Sequence, residues 1–84
     1  MGKSEKLVLR LKSHPVDFTF DELVTLLGHH GYTQAKSGNS SGSRVAFTDG
    51  KGDFIRLHKP HPRNVLKPYQ VEMIIKALQE RGLL

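Results

Sequence analysis

Apolar positions recur along the chain at either a helical or a strand period, and the switches between the two mark out its elements. In "SEKLVLRLKSHP", Leu7, Val8 and Leu11 fall on one side of a short helix with Ser4 as its expected N-cap. Pro15 ends it, because the residue before a proline avoids the helical region. Leu7, Leu9 and Leu11 also alternate as a strand would, so this stretch carries both periods. "FTFDELVTLLGHHGY" is better signed. Thr19 and Glu22 have the spacing of a capping box, and Phe18 and Leu23 that of a hydrophobic staple. Phe20, Leu23, Leu27 and His30 follow one helical face while His29 points outward. Gly31 suits the left-handed residue that closes a helix, and Tyr32 can fold back over the end.

A short strand is expected near residues 32–36, then "RVAFT" and "DFIRLH", with "DGKGD" as the hairpin turn between the last two. If Val45, Phe47, Ile55 and Leu57 face the core, alternation puts Arg44, Ala46, Arg56 and His58 together on the opposite face. After "KPHPRN", Pro68 suits the first turn of a final helix, where its missing N–H costs nothing. Val71, Ile74, Ile75 and Leu78 lie at i, i+3, i+4 and i+7, and Gly82 marks the end. The predicted fold is α+β: a three-stranded antiparallel sheet in the order α-α-β-β-β-α. Helices cover one sheet face and leave the other free to bind.

Length narrows this to one domain: 84 residues leave no room for a second core. A chain of this size buries only about 60% of its unfolded surface, so the core is small. The absence of cysteine excludes a disulfide framework and thiolate metal sites. No apolar run approaches the roughly 18 residues of a membrane span, and the N-terminal stretch lacks the apolar centre of a signal peptide. A cytoplasmic protein without a membrane partner is expected. Thirteen Lys and Arg against eight acids give a formal charge of +5, a field that favours polyanions, although basic proteins need not bind nucleic acid. The one low-complexity stretch, "SGNSSGS" at residues 37–43, has the composition of a mobile loop.

The chemistry-bearing residues are basic groups and imidazoles. His58 and His61 lie three apart in "HKPHP", but a third zinc ligand of the usual kind is not evident. Asp49, Asp53, His29 and His30 qualify only if the fold assembles them, and neither a metal nor a cofactor is called for. His29 and His30 read as structural, and Asp21 and Glu22 as acids complementing a helix dipole. No cysteine nucleophile, Gly-x-Ser-x-Gly elbow or phosphate-loop signature is present. RNA cleavage fits the remainder. A base must take the 2′-hydroxyl proton, cations must hold the phosphate, and an acid must protonate the leaving oxygen. Ser43, Arg44, Arg56, His58, Lys59 and His61 are residue types for that work, as on any basic sheet face.

Two long stretches, "FTFDELVTLLGHHGYTQAKSGNSSGSRVAF" and "LHKPHPRNVLKPYQVEMIIKALQERGLL", resemble the HicA family of toxin–antitoxin systems. The shared elements are a helix ending in Gly–Tyr, a Gly–Ser loop entering a strand, a His–Pro pair and a last helix ending "GLL". The resemblance covers residues 18–84 and leaves residues 1–17 as an N-terminal helical extension. It implies a fold like a double-stranded-RNA-binding domain, cleavage of messenger RNA that stops translation, and a covering HicB-type antitoxin. Such folds read shape, phosphates and 2′-hydroxyls. Many family members carry a catalytic histidine after the Gly–Ser pair, where this chain has Arg44. Arginine stays protonated, so it suits phosphate binding but not proton abstraction. His61 matches a family His–Pro position, and His58 shares a predicted face with Arg44 and Arg56.

Three readings follow: a HicA-like endoribonuclease using His58 or His61, a non-catalytic RNA-binding module of the same fold, and an interaction protein whose basic face docks an acidic partner. In the first two, Ser43, Arg44, Arg56 and Lys59 are the expected phosphate contacts.

Overall fold

The computed structural model describes residues 3–35 and 44–84. Its elements are α1 (Lys3–Lys12), α2 (Phe20–His29), β1 (Thr33–Gln34), β2 (Arg44–Thr48), β3 (Phe54–His58) and α3 (Pro68–Glu80). The strands form one antiparallel sheet in the order β1-β2-β3. The α+β class and the α-α-β-β-β-α order match the sequence expectation. From α2 onward, the α-β-β-β-α succession fits a double-stranded-RNA-binding-domain-like fold.

Helical phasing settles the double period of the first stretch. Leu11 is fully buried and Leu7 half-buried, whereas Leu9 is 55% exposed, which a strand pattern would not produce. One expectation fails here. α1 already includes Lys3, so Ser4 lies inside its first turn rather than capping it. The helix ends at Lys12, ahead of Pro15, with His14 in the left-handed region at φ 54°.

α2 begins as its pattern dictates. The Thr19 hydroxyl accepts from the Glu22 N–H at 3.0 Å, and the Thr19 N–H donates to Glu22 Oε1 at 2.9 Å. Loss of such a cap costs about 0.5–2 kcal/mol. Phe18 and Leu23, the staple pair, are both fully buried. Gly31 takes φ 84° after the last turn, and the Tyr32 N–H donates back to the Leu27 carbonyl at 2.8 Å. α3 ends the same way, with Gly82 at φ 70° and the Leu83 N–H donating to Leu78 O at 2.9 Å. Both closures need a residue that tolerates positive φ, which glycine does without a Cβ penalty.

Phe47, Ile55 and Leu57 from the sheet join Leu11, Phe18, Leu23, Leu26, Leu27, Ile74 and Leu78 in one core. The Phe20 and Phe47 rings meet at 6.0 Å and tie α2 to the central strand. His30 stands at the edge of this core, half-buried, and its buried Nε2 finds no partner among the described residues.

Two arginines fasten the helices. Arg10 of α1 donates to Glu22 from Nε at 3.0 Å and to Asp17 from Nη1 at 3.0 Å. Its guanidinium holds the Glu22 carboxyl below the ordinary carboxylate range. Such a part-exposed pair contributes little stability, so its value is in placing α1 against the α2 cap. At the other end, Arg81 donates to Asp53 from Nε at 2.7 Å and from Nη2 at 3.1 Å. The Tyr32 hydroxyl also donates to Asp53. Arg81 and then Tyr32 hold the Asp53 carboxyl down to about 2. Asp53 thus joins the hairpin turn to the end of α3 and to the closure of α2.

Because the folded pKa of Asp53 is depressed, its contribution is complete above the ordinary carboxylate range and is lost as pH falls toward about 2. Asp53→Asn is expected to lower the unfolding midpoint near neutral pH, with the gap to the parent narrowing between about pH 4 and pH 2. Thermal unfolding of both proteins across that range checks it. A gap that stays constant down to pH 2 would contradict this role for Asp53.

Candidate functional site

The β2–β3 ladder pairs Arg44 with His58, Ala46 with Arg56 and Thr48 with Phe54 on one face, and Val45 with Leu57 and Phe47 with Ile55 on the other. The second set faces the helices; Arg44, Phe54, Arg56 and His58 of the first are exposed. The Ala35 N–H donates to Ala46 O at 2.7 Å, so the backbone polar groups of Ala46 point toward β1. Alternation then makes Arg44–His58 and Ala46–Arg56 narrow, non-hydrogen-bonded pairs, whose Cα atoms sit about 4.5 Å apart. A guanidinium and an imidazole therefore leave the sheet side by side. Nothing on these two strands' outer face is acidic.

The next cations diverge from that pair. The Arg56 guanidinium lies 4.9 Å from the centroid of the Phe54 ring, leaning toward the hairpin turn and away from His58. Lys59 turns the other way, its ammonium 5.5 Å from the centroid of Phe20. Arg10 and Arg81 are occupied by carboxylates, whereas Arg44, Arg56 and Arg63 have no ion-pair partner among the described residues. The basic charge left free thus includes both arginines of the outer sheet face.

His61 sits apart from the ladder, exposed, in a groove of about 580 Å³ lined by Asp21, Lys59, Pro60, Pro62 and Asn64. Among the described residues its ring makes no hydrogen bond that would brace the start of α3. That bracing comes from elsewhere. Gln70, 2% exposed, donates from Nε2 to the His58 carbonyl at 2.7 Å and accepts at Oε1 from the Lys67 N–H at 3.0 Å. Residues 64–66 then pair with the approach to α2: the Phe20 N–H donates to Asn64 O at 3.0 Å, and the Leu66 N–H donates to Phe18 O at 2.8 Å. The histidine-bearing segment is held at both ends.

Ser43 and the stretch at 37–43 lie outside the described residues. Among those described, no three His, Asp or Glu side chains converge as a metal site would require, and no helix is long and apolar enough to cross a membrane. Asp53, weighed as a metal ligand from sequence, is taken up by Arg81 and Tyr32. Gln70 is the supporting residue that pattern reading missed. Its only sequence signal is a glutamine three places after Lys67, half of a capping box.

A family model described as the HicA toxin of bacterial toxin–antitoxin systems matches residues 20–79. The chain belongs to the HicA toxin family. The match takes in α2, the whole sheet and nearly all of α3, and leaves α1 outside although Leu11 is part of the core. Neither the curated proteins nor the solved structures contain a match to this chain. Membership makes it the toxin side of a toxin–antitoxin pair.

The Gln70 brace has a measurable consequence. Gln70→Leu keeps the volume but leaves the His58 carbonyl and the Lys67 N–H without their partner, which is expected to cost about 1–3 kcal/mol in urea unfolding. Amide exchange at Lys67 should speed up with it. Unchanged exchange at Lys67 would show that the amide is not holding this segment.

Proposed function

We propose that this HicA-family toxin is an RNA-binding endoribonuclease that cuts messenger RNA without a metal and is silenced by a HicB-type antitoxin, in the cytoplasm. Residues 18–84 form the toxin domain and residues 1–17 an N-terminal addition. The observation that carries the reading is the Arg44–His58 pair: a permanent cation directly across the ladder from an exposed imidazole, on a face without acids.

In this reading Arg44 grips the phosphodiester at His58 and Arg56 a neighbouring phosphate. Lys59 and Ser43 are further phosphate contacts, Ser43 on the strength of its sequence position beside Arg44. His58 in its neutral form takes the proton from the 2′-hydroxyl. The 2′-oxygen attacks phosphorus, the P–O5′ bond breaks, and the departing oxygen takes a proton from His61 or from water. Arg44 is not the base, since a guanidinium is unsuited to proton abstraction. It offsets the charge that builds on the phosphate in the transition state.

One feature favours a second reading. Arginine stands where the family resemblance implies a catalytic histidine, which suits a non-catalytic RNA-binding module. Both readings require binding, and only the first requires turnover.

Purified His58→Ala is expected to lose about 10²–10⁴ in cleavage rate with binding largely kept. Arg44→Ala should instead weaken RNA affinity and reduce the salt slope of log affinity by about 0.7 for each single-strand phosphate it no longer neutralises. Full turnover in His58→Ala would remove that residue from the mechanism. No cleavage by the parent alongside salt-dependent binding would leave the binding module.

The antitoxin is expected to cover the same face. Hydrogen exchange of the toxin–antitoxin complex should show protection across residues 44–64. Protection confined to the exposed side of α3, at Tyr69 and Met73, would contradict that placement.

A further inference from the structure

The groove at the end of β3 is not explained by phosphate binding. It begins one residue beyond His58, at Lys59, and is lined by Asp21, Lys59, Pro60, His61, Pro62 and Asn64. His61 is at most about 11 Å of chain from His58, so the groove adjoins the Arg44–His58 pair. A helix dipole accounts for an acid in the first turn of α2. It does not account for that acid opening onto a groove beside a phosphate-gripping face, where a carboxylate repels the ligand's backbone. Asp21 also forms no ion pair among the described residues, not even with Lys59, which lines the same groove.

A carboxylate next to a phosphate site is useful when the ligand presents hydrogen-bond donors there, and the part of RNA that does so is the base. We propose that this groove receives the base adjoining the phosphate held by Arg44, and that Asp21 makes it a guanine site. Guanine is the base whose Watson–Crick edge offers two neighbouring donors, N1–H and the N2 amine, to the two oxygens of one carboxylate. Adenine, cytosine and uracil each offer a single donor group on that edge. The Asn64 amide supplies both a donor and an acceptor beside Asp21, and its backbone carbonyl is fixed by the Phe20 N–H at 3.0 Å. Two prolines and an imidazole among the lining residues suit contact with a splayed-out base, the usual mode of single-strand RNA readout. Lys59, its ammonium 5.5 Å from the Phe20 ring centroid, also lines the groove.

This inference rests on the RNA reading of the sheet face and adds a base preference to it. The test is fluorescence anisotropy with labelled 2′-O-methyl oligonucleotides, uncleavable by 2′-hydroxyl attack: an all-uridine strand and three others carrying one G, A or C. The guanine strand is expected to bind roughly 5- to 150-fold tighter than the others, the worth of one bidentate base contact. Asp21→Asn should close that gap, because an amide cannot accept from both donors, and Asn64→Ala should narrow it. Circular dichroism of both variants excludes loss of folding as the cause. Binding of all four strands with equal affinity overturns the guanine site and leaves the sheet-face reading standing. Binding of none overturns both, and a guanine preference that survives intact in Asp21→Asn overturns the role given to Asp21.

Discussion

Gln70 fills both ends of its amide in the interior of a very small protein. Its Nε2 holds the carbonyl that ends β3, and its Oε1 holds the N–H that begins α3, at 2.7 and 3.0 Å. In a core this small, a buried polar group without partners would be a serious cost. With both partners met, it joins the last strand to the last helix and fixes the ends of the segment carrying His58, Lys59 and His61. Arg81 does the matching job at the other end of β3, donating to the Phe54 carbonyl at 3.3 Å as well as to Asp53. The edge strand is thus pinned to α3 at both ends, and its outward side chains stand on a rigid base.

Charge is divided between two tasks. Arg10 and Arg81 commit their guanidinium groups to Asp17, Glu22 and Asp53 and hold helices in place. Arg44 and Arg56 have no such partners among the described residues and lie on the solvent face of the sheet. Asp17, Glu22 and Asp53 are drawn into structural pairs, while the arginines of the outer sheet face have no carboxylate partner among the described residues. That sorting turns a modest net charge of +5 into a directed surface.

Much of the fold was legible in the sequence because it is written in local signals. The Thr19–Glu22 box, the positive-φ glycines and the alternation of "RVAFT" and "DFIRLH" each depend on neighbours a few residues apart. Alternation also put Arg44, Arg56 and His58 on one face without any tertiary information. Two kinds of feature were not legible. Contacts between residues distant in sequence, such as Arg10 with Glu22, Arg81 with Asp53 and Gln70 with His58, have no periodic signature. Side-chain direction within a face is also set late: Arg56 leans onto Phe54 and Lys59 onto Phe20, which spreads cations that alternation alone would cluster. Ser4 has the chemistry of a capping residue, but the helix already includes Lys3, so local chemistry alone misplaces its start.

The proposed function puts RNA on the solvent face of the sheet, around Arg44 and His58. Titration of isotope-labelled protein with an uncleavable 2′-O-methyl RNA, followed by amide and imidazole resonances, tests it most directly. The account predicts that the shifts concentrate at Arg44, Arg56, His58 and Lys59 and extend into residues 61–64, with α3 beyond its first turn unaffected. Shifts centred on Met73, Lys76 and the rest of the exposed side of α3, with Arg44 and His58 unmoved, would contradict it.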